Sequence, residues 1–128
     1  MNGRRRAIDS TTIAEWAAEA AAAVKPHYLA ILDVHGVCSF ADQFVIASAE
    51  SARQVRAIAE RVEERLAQAG IRMQHREGAG EARWILLDYQ DVVIHIFDDL
   101  TRHFYDLERL WGDAPKRVLA GGSPAELL

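Results

Sequence analysis

Trp84-Ile85-Leu86-Leu87-Asp88-Tyr89-Gln90-Asp91-Val92-Val93-Ile94-His95-Ile96-Phe97 is the stretch whose reading decides the fold. It holds two apolar runs, 84–89 and 91–97, with Gln90 alone between them. Runs this rich in branched and aromatic residues read as strands, and so short a connection folds them back as a β-hairpin. Alternate residues of a strand face opposite sides. Trp84, Leu86 and Asp88 therefore form one set and Ile85, Leu87 and Tyr89 the other. One set packs on a core, and the other is left to meet a partner.

Downstream, the spacing predicts a helix over 99–111, capped by Asp98 or Asp99. Leu100, Phe104, Leu107 and Trp111 recur at steps of four, three and four, and the last three of these are assigned to the core. Gly112 and Pro115 end the helix, and Gly121-Gly122-Ser123-Pro124 reads as part of a flexible tail over 114–128. Upstream, Ser51 to Ala69 carries an apolar stripe of Val55, Ile58, Val62, Leu66 and Ala69, predicting a long helix over 50–69 that stops at Gly70. Its four Glu and four Arg read as a solvated face. Tyr28–Val34 and Gln43–Ser48 are nearly continuous apolar runs and read as buried strands. Thr12 and Glu15 have capping-box spacing, placing a first helix over 12–24 that Lys25-Pro26 ends. A short strand is expected at 71–74.

The order is helix, strand, strand, helix, short strand, hairpin, helix. It predicts an α/β fold of the α+β kind, a single mixed β-sheet with packed helices. One domain over 12–113 follows an N-terminal arm over 1–11. The 128 residues, half of them hydrophobic, suffice for one core. The net charge of −4 argues against a protein that coats nucleic acid, which needs a basic excess. The single cysteine, Cys38, forms no internal disulfide and suits a reducing compartment. No apolar run reaches the roughly 20 residues of a membrane helix. No apolar stretch follows Arg4-Arg5-Arg6, as a signal peptide would require. The expectation is a cytoplasmic protein that does not engage a membrane.

Few constellations suggest catalysis. Asp88, Asp91 and His95 lie on or beside the hairpin and offer metal-binding side chains. Carboxylates beside a turn more often accept backbone hydrogen bonds, and a histidine in an apolar run more often packs. Cys38 and His35 are three apart but have no third group to orient a base. The five histidines lack metal-ligand spacing. No metal and no cofactor is expected. The segment 84–111 stands apart. It holds six of the ten aromatics and six carboxylates against two arginines, so its own net charge is −4. Aromatic anchors within an acidic field suit docking to a basic protein.

The hairpin sequence, followed by Arg102-His103-Phe104-Tyr105-Asp106-Leu107-Glu108-Arg109-Leu110-Trp111, resembles the ribosomal silencing factor family (RsfS, also called Iojap-like). Ala41–Ala47 and Ser51–Ala59 resemble the same family's second strand and long helix. The resemblance implies a nucleotidyltransferase-like fold without catalytic motifs, since the Gly-Ser signature and paired metal-binding aspartates of such enzymes are missing. It implies a non-enzymatic protein that binds the large ribosomal subunit through its protein uL-fourteen. Binding there blocks joining of the small subunit and represses translation when nutrients are scarce, as in stationary phase. Contact with rRNA is at most secondary. The expected contact residues are Trp84, Leu86, Asp88, Tyr89, Asp91, Val93, His95, Tyr105, Glu108 and Arg109. Gln90 stands where the family usually has glycine, so the turn is either longer or strained there. Two other readings compete: a nucleotidyltransferase-like enzyme with degenerate motifs, and a homodimeric interaction module.

Overall fold

The computed structural model describes residues 8–78 and 80–121. In chain order the elements are α1 (Ser10–Ala22), β1 (Tyr28–Asp33), β2 (Gln43–Ala49), α2 (Ala52–Gln68), β3 (His75–Glu77), β4 (Trp84–Asp88), β5 (Val92–Asp98), α3 (Asp99–Tyr105), α4 (Leu107–Leu110) and β6 (Lys116–Ala120). The strands form one sheet in the order β3-β4-β5-β2-β1-β6. Only β2 and β5 run parallel; the other neighbours are antiparallel. The sheet is therefore mixed, as the element order requires, and the hairpin of β4 and β5 forms with Trp84 opposite Phe97.

Both faces of the sheet are covered, but unequally. On the first face, α1 and α2 pack over Leu29, Ile31, Val45, Ala47, Ile85, Leu87, Ile94 and Ile96. Helix α1 turns Ile13, Ala14, Ala17, Ala18 and Ala21 inward; short alanine side chains let it lie close to its neighbours. Helix α2 presents the expected stripe of Val55, Ile58, Val62 and Leu66, with Ala59 between them. The Arg65 guanidinium sits 4.5 Å from the centre of the Trp16 ring and ties the two helices at their rim. The second face carries Tyr28, Ala30, Leu32, Phe44, Ile46, Val93 and Phe97. There, among the described residues, only the short α3 and α4 and the loops after β1 and α4 provide cover, and they bury Val34, Ala41, Leu107 and Ala114.

Several expectations are corrected. The first helix is capped by Asp9, whose carboxylate accepts from the Thr12 backbone N–H at 2.9 Å, not by Thr12. That bond holds the Asp9 carboxyl below its ordinary pKa, as expected when the charged form is the acceptor. The short strand falls at 75–77 instead of 71–74. The last helix is broken: Asp106 adopts a left-handed backbone (φ 49°), which ends α3 and restarts the chain as α4. The break turns Leu107 inward and leaves Phe104 80% exposed, outside the core to which periodicity assigned it. The expected tail begins too early. Lys116–Ala120 forms β6 and pairs with β1, extending the sheet past residue 113. Alternation explains the strand, because Val118 packs on the second face while Arg117 and Leu119 do not. Residues 122–128, and the Arg4–Arg6 cluster, lie outside the described residues.

The turn at Gln90 resolves in favour of strain. Gln90 has φ 80°, and Asp91 N–H donates to the Tyr89 carbonyl across it at 3.1 Å. The Asp88 carboxylate accepts from the Gln90 N–H at 2.8 Å and holds the turn closed. A side chain at this φ costs about 1–3 kcal/mol.

Candidate functional site

The second face of the sheet carries an aromatic cluster that runs from the core to the surface. Alternation along β4 places Trp84 and Leu86 there, while Ile85 and Leu87 go under the helices. Trp84 packs on Phe97 (ring centres 4.9 Å) and on Tyr105 of α3 (4.8 Å), and Tyr105 meets Phe104 edge-on at 5.0 Å. A second group gathers 5.7 Å away from Phe44 at Trp111, with Phe40 of the loop 6.4 Å from Trp111. Each such pair adds about 0.5–1.5 kcal/mol beyond area burial.

This face is incompletely covered. Helix α3 buries none of its residues. Leu100 is 82% exposed, Leu110 69%, Phe40 63% and Tyr105 50%, beside the exposed Phe104. Two open grooves lie among them. One of about 390 Å³ is lined by Arg83, Trp84, Leu100, Thr101, Phe104 and Tyr105. The other, about 340 Å³, lies between Val37, Arg109, Leu110, Trp111, Gly112 and Asp113. Large apolar side chains exposed beside such grooves suit a surface that meets something else.

The charges nearby are mostly committed to local structure. Asp98 caps α3 by accepting from Thr101 N–H at 2.8 Å. Asp99 pairs with His27 at 2.6 Å, and Glu108 with Arg102 at 3.2 Å. The same Arg102 guanidinium lies 3.3 Å from the centre of the Tyr28 ring. These bonds hold α3 and α4 in place where apolar burial does not. The field of the segment remains acidic, but Asp98, Asp99 and Glu108 serve first as struts.

The structure separates the expected contact residues. Trp84 and Tyr105 line the first groove, and Arg109 lines the second. Leu86 is half-buried against the cluster. Asp88 and Asp91 flank the turn, at the far end of β4 from Trp84. Glu108 is largely buried beside Arg102. Three of the expected contact residues, Tyr89, Val93 and His95, are corrected. Tyr89 is 2% exposed and belongs to the first face, under the helices, because it is one residue out of phase with Trp84, Leu86 and Asp88. Burial, with the Glu63 carboxylate nearby, raises its pKa to about 12. Val93 and His95 are on the correct face but are buried beneath the cluster. Asp88, Asp91 and His95 do not converge; among the described residues no three His, Cys, Asp or Glu side chains are placed to hold a metal. His35 faces Asp42 at 3.2 Å, and Cys38 packs at the margin of the second face.

Leu100, Phe104, Phe40 and Leu110 are the surface residues that the sequence reading missed. Periodicity put Leu100 and Phe104 on the apolar stripe of an unbroken helix. Phe40 had its own signal, a large aromatic in the polar stretch Ser39-Phe40-Ala41-Asp42.

A family model described as "Ribosomal silencing factor during starvation" matches residues 7–126. The ribosomal silencing factor RsfS of Bacillus subtilis is 45% identical over 84 residues, covering 66% of this chain and 71% of that protein. The RsfS of Halalkalibacterium halodurans is 40% identical over 97 residues, covering 76% and 83%. A crystal structure of a Chromobacterium violaceum protein superposes with a TM-score of 0.80 at 32% identity, covering 93% of this chain and 98% of that one. With the hairpin motif on a mixed sheet of this kind and a family match from residue 7 to residue 126, the chain belongs to the ribosomal silencing factor family.

Proposed function

We propose that this protein docks its α3–α4 face on protein uL-fourteen of the large ribosomal subunit and prevents the small subunit from joining. The observation that carries the reading is the concentration of Leu100, Phe104, Tyr105, Leu110 and Phe40 on one thinly covered face. Large exposed aromatics beside preformed grooves are what interface anchors look like before a partner arrives. The chain's net charge of −4, carried by the segment that builds this face, favours encounter with a basic ribosomal protein. It disfavours rRNA as the principal contact. Blocking association requires no reaction, only volume in the second subunit's place. The family's role in starvation fits a repressor that lowers translation without altering the ribosome chemically. No helix among the described residues is long and apolar enough to cross a membrane, which accords with action on cytoplasmic ribosomes.

The contact set on this reading is Trp84, Leu100, Phe104, Tyr105, Arg109 and Leu110, with Phe40 at the margin. The test is sedimentation with purified large subunits at low salt, followed by addition of small subunits. Co-sedimentation and a reduced yield of joined ribosomes are expected. Protein that stays at the top of the gradient refutes the proposal. The same exposed patch also suits pairing of two copies. Mass measured across concentration, with and without large subunits, separates that reading.

A further inference from the structure

Trp84, which lines the first groove, makes a polar bond as well as its packing on Phe97 and Tyr105. Its indole N–H donates to Nδ1 of His95 at 3.1 Å. The two residues are diagonal neighbours on adjacent strands, Trp84 opposite Phe97 and His95 opposite Leu86. His95 is 6% exposed, so it cannot meet a partner directly without rearrangement. It is held edge-on to Phe44 at 4.9 Å and stacked near Phe97 at 6.3 Å. The bond assigns the tautomer: Nδ1 accepts, so the proton is on Nε2. Nε2 finds no hydrogen-bond partner and is buried. That unpaired group is a cost. A leucine or phenylalanine would fill the space without it, so packing alone does not explain a histidine here.

We infer that His95 is a positioning residue for ribosome docking: its Nδ1 lone pair holds the Trp84 indole in the orientation that walls the groove beside Leu100, Phe104 and Tyr105. The inference rests on the reading of this face as the docking surface. An indole N–H left without an acceptor in an apolar site rotates toward water. Rotation of Trp84 removes the wall on which Tyr105 leans at 4.8 Å and opens the groove. Burial keeps the His95 ring neutral, with its pKa near 4, so the acceptor is present throughout the neutral range.

The test is a double-mutant cycle read as the dissociation constant for purified large subunits. His95→Leu removes the acceptor and weakens binding about tenfold, whereas His95→Asn, whose amide oxygen replaces Nδ1, stays within about twofold of wild type. Trp84→Phe also weakens binding, and adding His95→Leu to it costs less than about twofold more, because no indole N–H remains to be held. In wild type the Trp84 indole N–H exchanges slowly with solvent, and in His95→Leu it exchanges fast. If the leucine variant does not fold, His95→Phe takes its place and the wild-type exchange rate is decisive. Equal loss in His95→Leu and His95→Asn, full additivity with Trp84→Phe, or fast indole exchange in wild type overturns the positioning role while leaving the docking face standing. Wild-type affinity of Trp84→Phe overturns the docking reading, and the inference with it.

Discussion

The burial of His95 makes the stability of the fold depend on pH in a way that can be isolated. Removal from water favours the neutral ring and lowers its pKa from 6.5 to about 4. For a base whose folded pKa is depressed, protons bind preferentially to the unfolded chain. The contribution is therefore fully present above pH 6.5 and is lost as pH falls toward 4. Between pH 7.5 and pH 5 the loss is about 2 kcal/mol, from the ratio of neutral fractions in the folded and unfolded states at 1.36 kcal/mol per unit. For a domain of this size that corresponds to roughly 7 °C in Tm. Carboxylates elsewhere also titrate, so the comparison is with His95→Asn, which keeps the acceptor for Trp84 but does not titrate. Urea unfolding of both proteins at the two pH values gives four stabilities. The wild type is expected to lose about 2 kcal/mol more than the variant on going to pH 5. Equal losses would refute the claim that a neutral histidine is sealed beneath the aromatic cluster.

Other outcomes follow from the same geometry. Gln90→Gly relieves the positive φ at the hairpin turn and raises stability by about 1 kcal/mol net of unfolded-state entropy, measured by urea midpoint. Tyr89→Ala empties a buried site under α2 and lowers stability by about 3–5 kcal/mol, an unfolding measurement that separates it from the surface tyrosine Tyr105. Gly121→Ala drives a methyl group into the His27 carbonyl oxygen at φ 76°, so the chain at the end of β6 must shift, and faster amide exchange in β1 and β6 reports it.

The hairpin, the long helix and the mixed sheet were legible because each rests on local periodicity. The Trp84 and Ile85 sets alternate as a strand requires, and the α2 stripe needs no tertiary knowledge to find. What was not legible depends on single backbone angles and on what lies above a strand. Asp106 in a left-handed conformation breaks an apparently continuous stripe, and aspartate tolerates that conformation without announcing it. The consequence was to read Phe104 as core. The residues around Tyr89 invert for a related reason: the turn begins there, so motif and charge suggest a surface while phase along β4 sends the ring inward. β6 was hidden because Lys116-Arg117-Val118-Leu119-Ala120 has one half-buried face on an edge, followed by glycines. The acidic field was read correctly as a sum, but not that Asp98, Asp99 and Glu108 are occupied in holding α3 and α4.

The most direct measurement of the central claim is the affinity of Phe104→Ala for free large ribosomal subunits. Phe104 is 80% exposed, so its removal leaves stability within about 0.5 kcal/mol of wild type. As an anchor it should cost at least about 2 kcal/mol of binding, a loss of roughly thirtyfold. Tyr89→Phe, altered under the helices on the opposite face, should bind as wild type and block subunit joining equally well. Undiminished binding by Phe104→Ala, with loss in Tyr89→Phe, would place the docking surface on the other side of the sheet and contradict the account.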